Sequence, residues 1–421
     1  MRFWIVAAAE PLPMLDGSFR EFRCSLLAKA LVARGHDVTW WTSDHDHMRK
    51  TQRYGHFKSI ELSPRLRLKL LPGPRYERNV SLRRLWHNRV VARRFLAQAR
   101  RCPSPPELVF ACLPTLELAQ SAVTYAHELN VRVVVDVRDK WPDIYLGVFP
   151  RIARPAARAA LASEFRRASD TLGAAHAITA VSESYLTWAL QHAGRRRRDN
   201  DRVFPLGFDA PADVSLPESP PHRSGPDIAK SNRSANGSLT VTFVGTFGAS
   251  YDLETVLEAA EKCLATMNGR VQFLLIGDGD KAASLRRRAK SLTNVTFTGW
   301  LDAPEMSRRL EETDIGLAAY GMNAQQSLPN KLFEYMAAGV PLLSSLRGEQ
   351  ESLIKENHIG LHYEPHSSAS LIDRLAWFQA NPAERLAMGA RARRLFDRSY
   401  RADTVYGSLV DHLETIVAGS N

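Results

Sequence analysis

The sequence predicts an α/β protein of two Rossmann-like domains whose parallel sheets face each other across a cleft. Strand-like and helix-like segments alternate along the chain. The alternation breaks once, at residues 210–238, where Pro, Ser, Asn and Gly crowd together without periodic apolar residues, as in a flexible linker. At 421 residues and 44% hydrophobic content there is material for two cores.

The first domain, 1–209, starts with a strand at Arg2 to Ala9, a turn-rich loop, a helix at Phe19 to Arg34 and a strand at Asp37 to Thr42. Further strands are expected at Arg65 to Leu71, Leu108 to Leu113, Val131 to Val137, Ala177 to Val181 and Val203 to Leu206, with helices between them. The second domain, 239–400, alternates strands at Leu239 to Val244, Val271 to Ile276, Val295 to Thr298, Ile315 to Ala319 and Val340 to Ser345 with helices. A C-terminal helix within 401–421 is expected to pack back on the first domain.

No apolar run approaches the roughly 18 residues a membrane span requires, and Met1 to Glu10 reads as a strand rather than a leader. Cys24, Cys102, Cys112 and Cys263 show neither metal-ligand nor disulfide spacing, which fits a reducing cytoplasm. The net charge of +11 is uneven: residues 1–200 hold 33 Lys/Arg against 18 Asp/Glu, and residues 201–421 hold 23 against 27. A basic first half suits a polyanionic substrate or an anionic membrane surface. Nucleic acid is not expected as a partner, because zinc-finger spacing and RNP-type aromatic runs are absent.

Ligands of open α/β sheets gather where strands end and helices begin. The segment from Ser327 to Ser345 is such a place: Pro329 and Asn330 open a helix, Gly339 closes it, and Lys331 and Glu334 share one face near its positive end. A diphosphate and a polyol suit that pair, although spacing alone leaves an ordinary surface Lys/Glu pair open. Gly17 and Ser18 stand at a helix start, where backbone N–H groups meet an anion or merely cap the helix. Val244 to Gly248, Ile276 to Gly279 and Gly299 to Asp302 are glycine-bearing loops at strand ends that permit close backbone approach. Arg138 to Asp143 mixes charge with Trp141, as a sugar-binding surface does; an Arg138/Asp139 ion pair beside a core Trp141 is the alternative.

With these loops in order, the chain resembles the retaining glycosyltransferases of family 4, which have the GT-B fold, and within them the bacterial O-antigen and capsule N-acetylfucosaminyl transferase branch. The resemblance rests on Phe243-Val-Gly-Thr-Phe-Gly248, Leu274 to Gly279, Val295 to Gly299, Asp314 to Leu317 and Leu328 to Pro341, with Leu31 to Val38, Asp139-Lys-Trp-Pro142 and Ala180 to Glu183 in the first domain. It implies a donor nucleotide sugar, most simply UDP-linked. Glu334 would hold the ribose, Lys331 and backbone near Gly17 and Gly245 would meet the diphosphate, and Leu301 with Asp302 would flank the base. Thr246, Gly277, Gln326 and Asn330 complete the donor set, and Ser18 joins Gly17. Lys331, Glu334 and Asp139 are the candidate catalytic residues, with Arg138 and Trp141 on the acceptor side. Two departures matter: Gln326 stands where many relatives have the first of two glutamates, and Thr246, Phe247 and Gly248 stand where many have an Arg and a Lys.

The expected reaction is transfer with retention to a glycan or lipid-linked glycan in cell-surface polysaccharide synthesis, of hexosyl or N-acetylhexosaminyl type. No cofactor or metal is expected: Asp44-His-Asp-His47 reads as a polar loop rather than a cation site. A sugar-nucleotide 2-epimerase of the same fold and a non-catalytic nucleotide-sugar binder are the alternatives. The Arg-rich segment Ser81 to Arg101 is expected as a helix, either lying on the inner face of the cytoplasmic membrane or packed with a solvated basic side.

Overall fold

A computed structural model of the chain describes residues 1–16, 21–79, 81–147, 149–209, 238–267 and 269–419. The chain divides into two compact units, Met1–Gly207 with Ala402–Asn421, and Phe208–Arg401.

In chain order the first unit contains β1 (Arg2–Val6), α1 (Pro13–Asp16), α2 (Arg23–Ala33), β2 (Asp37–Ser43), β3 (His45–Asp46), β4 (Thr51–Gln52), β5 (Lys58–Ser63), β6 (Leu66–Leu71), α3 (Leu82–Ala99), β7 (Leu108–Leu113), α4 (Leu116–Glu128), β8 (Arg132–Val137), α5 (Asp143–Leu146), α6 (Arg154–Ala160), α7 (Ala162–Gly173), β9 (Ala177–Ala180), α8 (Glu183–Ala193) and β10 (Arg202–Val203). Among the described residues its main sheet has the order β10-β9-β8-β7-β1-β2-β6-β5, and only the β5–β6 edge is antiparallel. Central strands are apolar on both faces because helices cover both. Alternate β1 residues therefore enter different cores: Trp4 and Val6 pack with Phe95, Val123 and Leu172, whereas Phe3 and Ile5 pack with Leu27, Leu409 and Leu413. The exception to apolarity is Asp136 in β8, which is fully buried and held in a two-pronged pair by Arg23 at 2.8 Å on each oxygen. Thr179 Oγ1 donates to the same carboxylate, so the buried charge is compensated.

The second unit contains β11 (Leu239–Val244), α9 (Leu253–Thr266), β12 (Val271–Ile276), α10 (Ala282–Arg288), β13 (Val295–Gly299), α11 (Ala303–Glu311), β14 (Ile315–Ala318), α12 (Asn330–Ala337), β15 (Leu342–Ser344), α13 (Glu349–Glu356), β16 (Gly360–His362), α14 (Ser368–Ala380) and α15 (Pro382–Ser399). Its sheet is parallel, in the order β13-β12-β11-β14-β15-β16. The last helix, α16 (Ala402–Ala418), belongs to the first unit, where Tyr406, Leu409 and Leu413 share a core with α2 and Arg34 bonds Asp411 at 2.8 Å.

The strands that sequence reading missed are those without an apolar period. β5 exposes half of its residues and buries none fully, β3 and β4 are two residues each, and β16 is a three-residue strand beginning at Gly360. The expected strand Val340 to Ser345 shortens to β15, because Val340 N donates to Tyr335 O and so still closes α12. The expected linker lies outside the described residues, except Ser238.

Candidate functional site

In the second unit the chain runs from β11 outward through β12 to β13, then returns to the other side of β11 as β14. The switch point is therefore between the carboxyl ends of β11 and β14, where an open α/β sheet offers a crevice. The loops after β11, β12 and β13 are laced together beside it. Gly245 N donates to Ile276 O at 3.0 Å, Gly277 N donates to Gly299 O at 2.9 Å, and Phe247 N donates to Asp278 O at 2.9 Å. Gly277 has φ +134°, and a Cβ there would stand 1.9 Å from Gly245 O. Only glycine allows that approach.

α12 is docked onto the same strand ends by one hydroxyl. Tyr335 Oη accepts from Val244 N at 3.0 Å and lies 3.0 Å from Thr242 O and 3.1 Å from Leu317 O, to which it donates. Gly316 in β14 makes room for the ring, since a Cβ there would come within 2.4 Å of it. Lys331 and Glu334, one turn apart on α12, are both buried. The Lys331 side chain turns into the unit: its Nζ lies 3.8 Å from the centroid of Phe243, 4.0 Å from Tyr251 and 5.2 Å from Tyr320. That ammonium has no hydrogen-bond partner among the described residues. Burial drives its basicity well below the usual lysine range, and Glu334 opposes the fall only in part. A cation lying against ring faces without a hydrogen-bond partner, beside the glycine backbone at a switch point, is suited to an incoming anion.

The other donor-side residues fall around this centre unevenly. Thr246 and Asp302 are exposed, Asn330 is exposed at the start of α12, and Leu301 is half-buried. Asp302 accepts Glu305 N at 2.9 Å as the N-cap of α11, so its carboxylate is engaged in holding that helix. Gln326 Oε1 is buried without a hydrogen-bond partner among the described residues. Gly17 and Ser18 lie outside the described residues.

On the first unit the expected acceptor pair is corrected. Arg138 does not pair with Asp139: its guanidinium turns inward to Glu10 and lies 3.6 Å from Cys24 Sγ. Trp141 is 6% exposed and covered, with the Arg84 guanidinium 4.9 Å from one ring and Tyr145 at 5.0 Å. It offers no open face to a sugar. Asp139 sits beside them with Oδ1 accepting Lys140 N at 2.8 Å, and burial raises its pKa above the usual carboxylate value. The Asp44 to His47 loop keeps its carboxylates to itself: Asp44 accepts from Tyr54 N and Gly55 N, and Asp46 from Met48 N, Arg49 N and Arg53 Nη2.

Sequence reading missed the Phe243, Tyr251 and Tyr320 cage and the Tyr335 hydroxyl. Each resembles a core aromatic in sequence, and up to 92 positions separate Phe243 from Tyr335. An aromatic at the end of β11 and another just after β14 is the available signal, once the switch point is known.

Residues 225–395 match the family model described as glycosyl transferases group 1. No curated protein sequence matches the chain. Solved structures do. Sucrose-phosphate synthase from Thermosynechococcus elongatus aligns over 100% of both chains with a TM-score of 0.69 and 16% identity. Anabaena HepE in complex with UDP and glucose aligns over 98% of this chain and 99% of its own, at a TM-score of 0.64 and 14% identity. WaaG, a glycosyltransferase involved in lipopolysaccharide biosynthesis, covers 97% and 98% at 0.61 and 13%. At such identities the likeness speaks for the fold. The chain has the GT-B fold, and the model it matches over residues 225–395 is that of the glycosyl transferases group 1.

Proposed function

We propose that this chain transfers a sugar from a nucleotide sugar, UDP-linked in the first instance, to a glycan or lipid-linked glycan acceptor, with retention and without a metal. The observation that carries the reading is the Lys331 ammonium at the β11/β14 switch point, facing rings and glycine backbone with no hydrogen-bond partner among the described residues. Similarity to HepE, whose structure holds UDP and glucose, supports the choice of donor.

In the proposed reaction the bond from the sugar's anomeric carbon to the diphosphate oxygen breaks. The acceptor oxygen bonds to that carbon on the same face, and its proton passes to the leaving phosphate oxygen. Charge growing on the nucleoside diphosphate is met by Lys331, backbone N–H groups of the Gly245 loop and the positive end of α12. Glu334 accepts hydrogen bonds from the donor's hydroxyls. The Lys331 Nζ is enclosed, so donor binding draws the side chain out of its ring cage. Incubating the chain with a panel of UDP-sugars and glycan acceptors is expected to yield an α-configured product from an α-linked donor in the presence of a chelator. UDP-sugar that is only epimerised, or bound without turnover across the panel, overturns the reading.

We also propose a cell-surface polysaccharide role, of the O-antigen or capsule type, at the inner membrane face. No helix among the described residues is long and apolar enough to cross a membrane. The exposed side of α3 carries Leu82, 84% exposed, and Trp86, 59% exposed, among Arg83, Arg89 and Arg93, while Val91 and Phe95 face the core. Apolar anchors ringed by cations are what an anionic leaflet attracts. The chain is expected to float with anionic vesicles at low salt and to be released by high salt, with Trp86→Ser weakening the association. Equal flotation with neutral vesicles removes the charge-based reading.

A further inference from the structure

Next to α3 the first unit gathers two cations, Lys50 and Arg84, that form no ion pair with a carboxylate among the described residues. Tyr76, buried at 3% exposure, is the centre of the group. The Lys50 ammonium lies 5.3 Å from its ring and the Arg84 guanidinium 5.9 Å; His45 stands at 4.3 Å and His87 at 5.1 Å, and His47 Nδ1 meets its hydroxyl at 2.6 Å. Both cations are held by neutral oxygens of one residue, Lys50 by the Asn79 side chain and Arg84 by the Asn79 carbonyl at 2.7 Å. The nearest carboxylate on the loop, Asp46, is already engaged by Arg53 and two backbone N–H groups. Arg84 Nε and both ring nitrogens of His45 are buried with no hydrogen-bond partner among the described residues.

Further signs point the same way. Burial, then Arg84 and Lys50, depress the His47 imidazole to about 3, and burial with His87 and Lys50 brings His45 to about 4. Lys50 also holds a backbone φ of +58°, a conformation costly for a side chain with a Cβ, which fixes its direction. Arg84 is the third residue of α3, whose positive end adds to the field.

We propose that His47, Lys50, Tyr76 and Arg84 form a subsite for a phosphate or diphosphate ester on the acceptor. The proposal rests on the transferase reading and narrows its acceptor to an anionic one. A phosphate oxygen would replace Asn79 as the partner of Lys50 and accept from Arg84 in charge-assisted hydrogen bonds. Because Arg84 also covers Trp141, whose neighbour Asp139 is a candidate catalytic carboxyl, an ester held here is tethered close to that loop. The source of the ester is either the linkage to a lipid or a phosphate carried by a soluble sugar.

The test has two arms, both on the full chain. Calorimetric titration of inorganic pyrophosphate into UDP-saturated protein is expected to show binding that weakens about tenfold in Arg84→Gln and in Lys50→Gln. UDP affinity stays unchanged in both. Lys50 is half-buried and at a loop end, so its variant keeps the test meaningful if Arg84→Gln fails to fold. In the second arm one acceptor sugar is offered as a neutral alkyl glycoside, a sugar phosphate and an alkyl diphospho-sugar. Preference for either phosphorylated form that is lost in Lys50→Gln supports the subsite, and the form preferred identifies the source. Absence of pyrophosphate binding to the wild-type chain overturns the proposal. So does equal turnover of the neutral glycoside. The pyrophosphate arm needs no sugar transfer, so failure of the transferase reading shows up separately, as donor turnover absent with every acceptor.

Discussion

Lys331→Met is expected to cut sugar transfer severely and at the same time to make the fold more stable. The two effects have one cause. An ammonium withdrawn from water costs several kcal/mol, and stacking against Phe243, Tyr251 and Tyr320 returns about 2 kcal/mol of that. Burial lowers the basicity of Lys331 by more than Glu334 restores, in keeping with a net cost for the enclosed charge. A thioether of similar length fills the same cage without the charge, for an expected gain of about 1 to 2 kcal/mol in unfolding free energy. Turnover, which needs the cation against the leaving diphosphate, falls on the order of 100-fold or more.

The pH dependence carries the sign. The folded-state value of Lys331 lies below the usual lysine value of 10.5, so across the interval between them the unfolded chain binds the extra proton. Stability of the wild type therefore rises with pH through that interval, by up to about 1.4 kcal/mol per pH unit, as the penalty for a buried charge disappears. Lys331→Met lacks this component, and its advantage shrinks as pH rises. Urea unfolding of both proteins from about pH 7 to about pH 10 measures it. A less stable Lys331→Met, or parallel pH profiles, contradicts the enclosed cation.

Gly277→Ala is expected to damage both the fold and donor binding. Its Cβ would meet Gly245 O at 1.9 Å, and neither partner is a side chain that can rotate away. Adding the strained φ of +134°, the loss is about 3 kcal/mol or more. Gly35→Ala is the matched control: φ is +82° there, but a Cβ would find nothing within 4 Å, so the cost is confined to backbone strain of about 1 kcal/mol. Thermal unfolding of the pair, with UDP titration of whatever Gly277→Ala folds, separates close approach from conformational preference. Equal destabilisation by both removes the interlocked loops as the reason for glycine at 277.

The extent to which these features were legible beforehand follows from range. Val133 to Val137 and Leu274 to Ile276 declare buried parallel strands because a helix covers each face, and that pattern is local. The edge strand β5, mostly polar and antiparallel, carries no such pattern and is not readable from the sequence. The same division runs through the candidate sites. Lys331 and Glu334 stand three apart on a helix whose start and end are written in Pro329 and Gly339, so their shared face was readable. The direction of the Lys331 ammonium was not, since it depends on rings 11, 80 and 88 positions away. Arg138 beside Asp139 suggested an ion pair along the chain, yet its partner is Glu10, brought across by the β1–β7–β8 pairing.

By itself, then, the sequence determined the α/β class, the order of the central strands along the chain and the positions of the glycine loops and of the Lys331/Glu334 turn. These depend on periodicity and on backbone preferences within a few residues. Only the tertiary structure decided that β11 and β14 flank the switch point, that Lys331 lies in a ring cage, that Trp141 is covered by Arg84, and that Lys50 and Arg84 share Asn79. Those outcomes depend on which surfaces meet when distant segments pack, and on where a charge is left without its opposite.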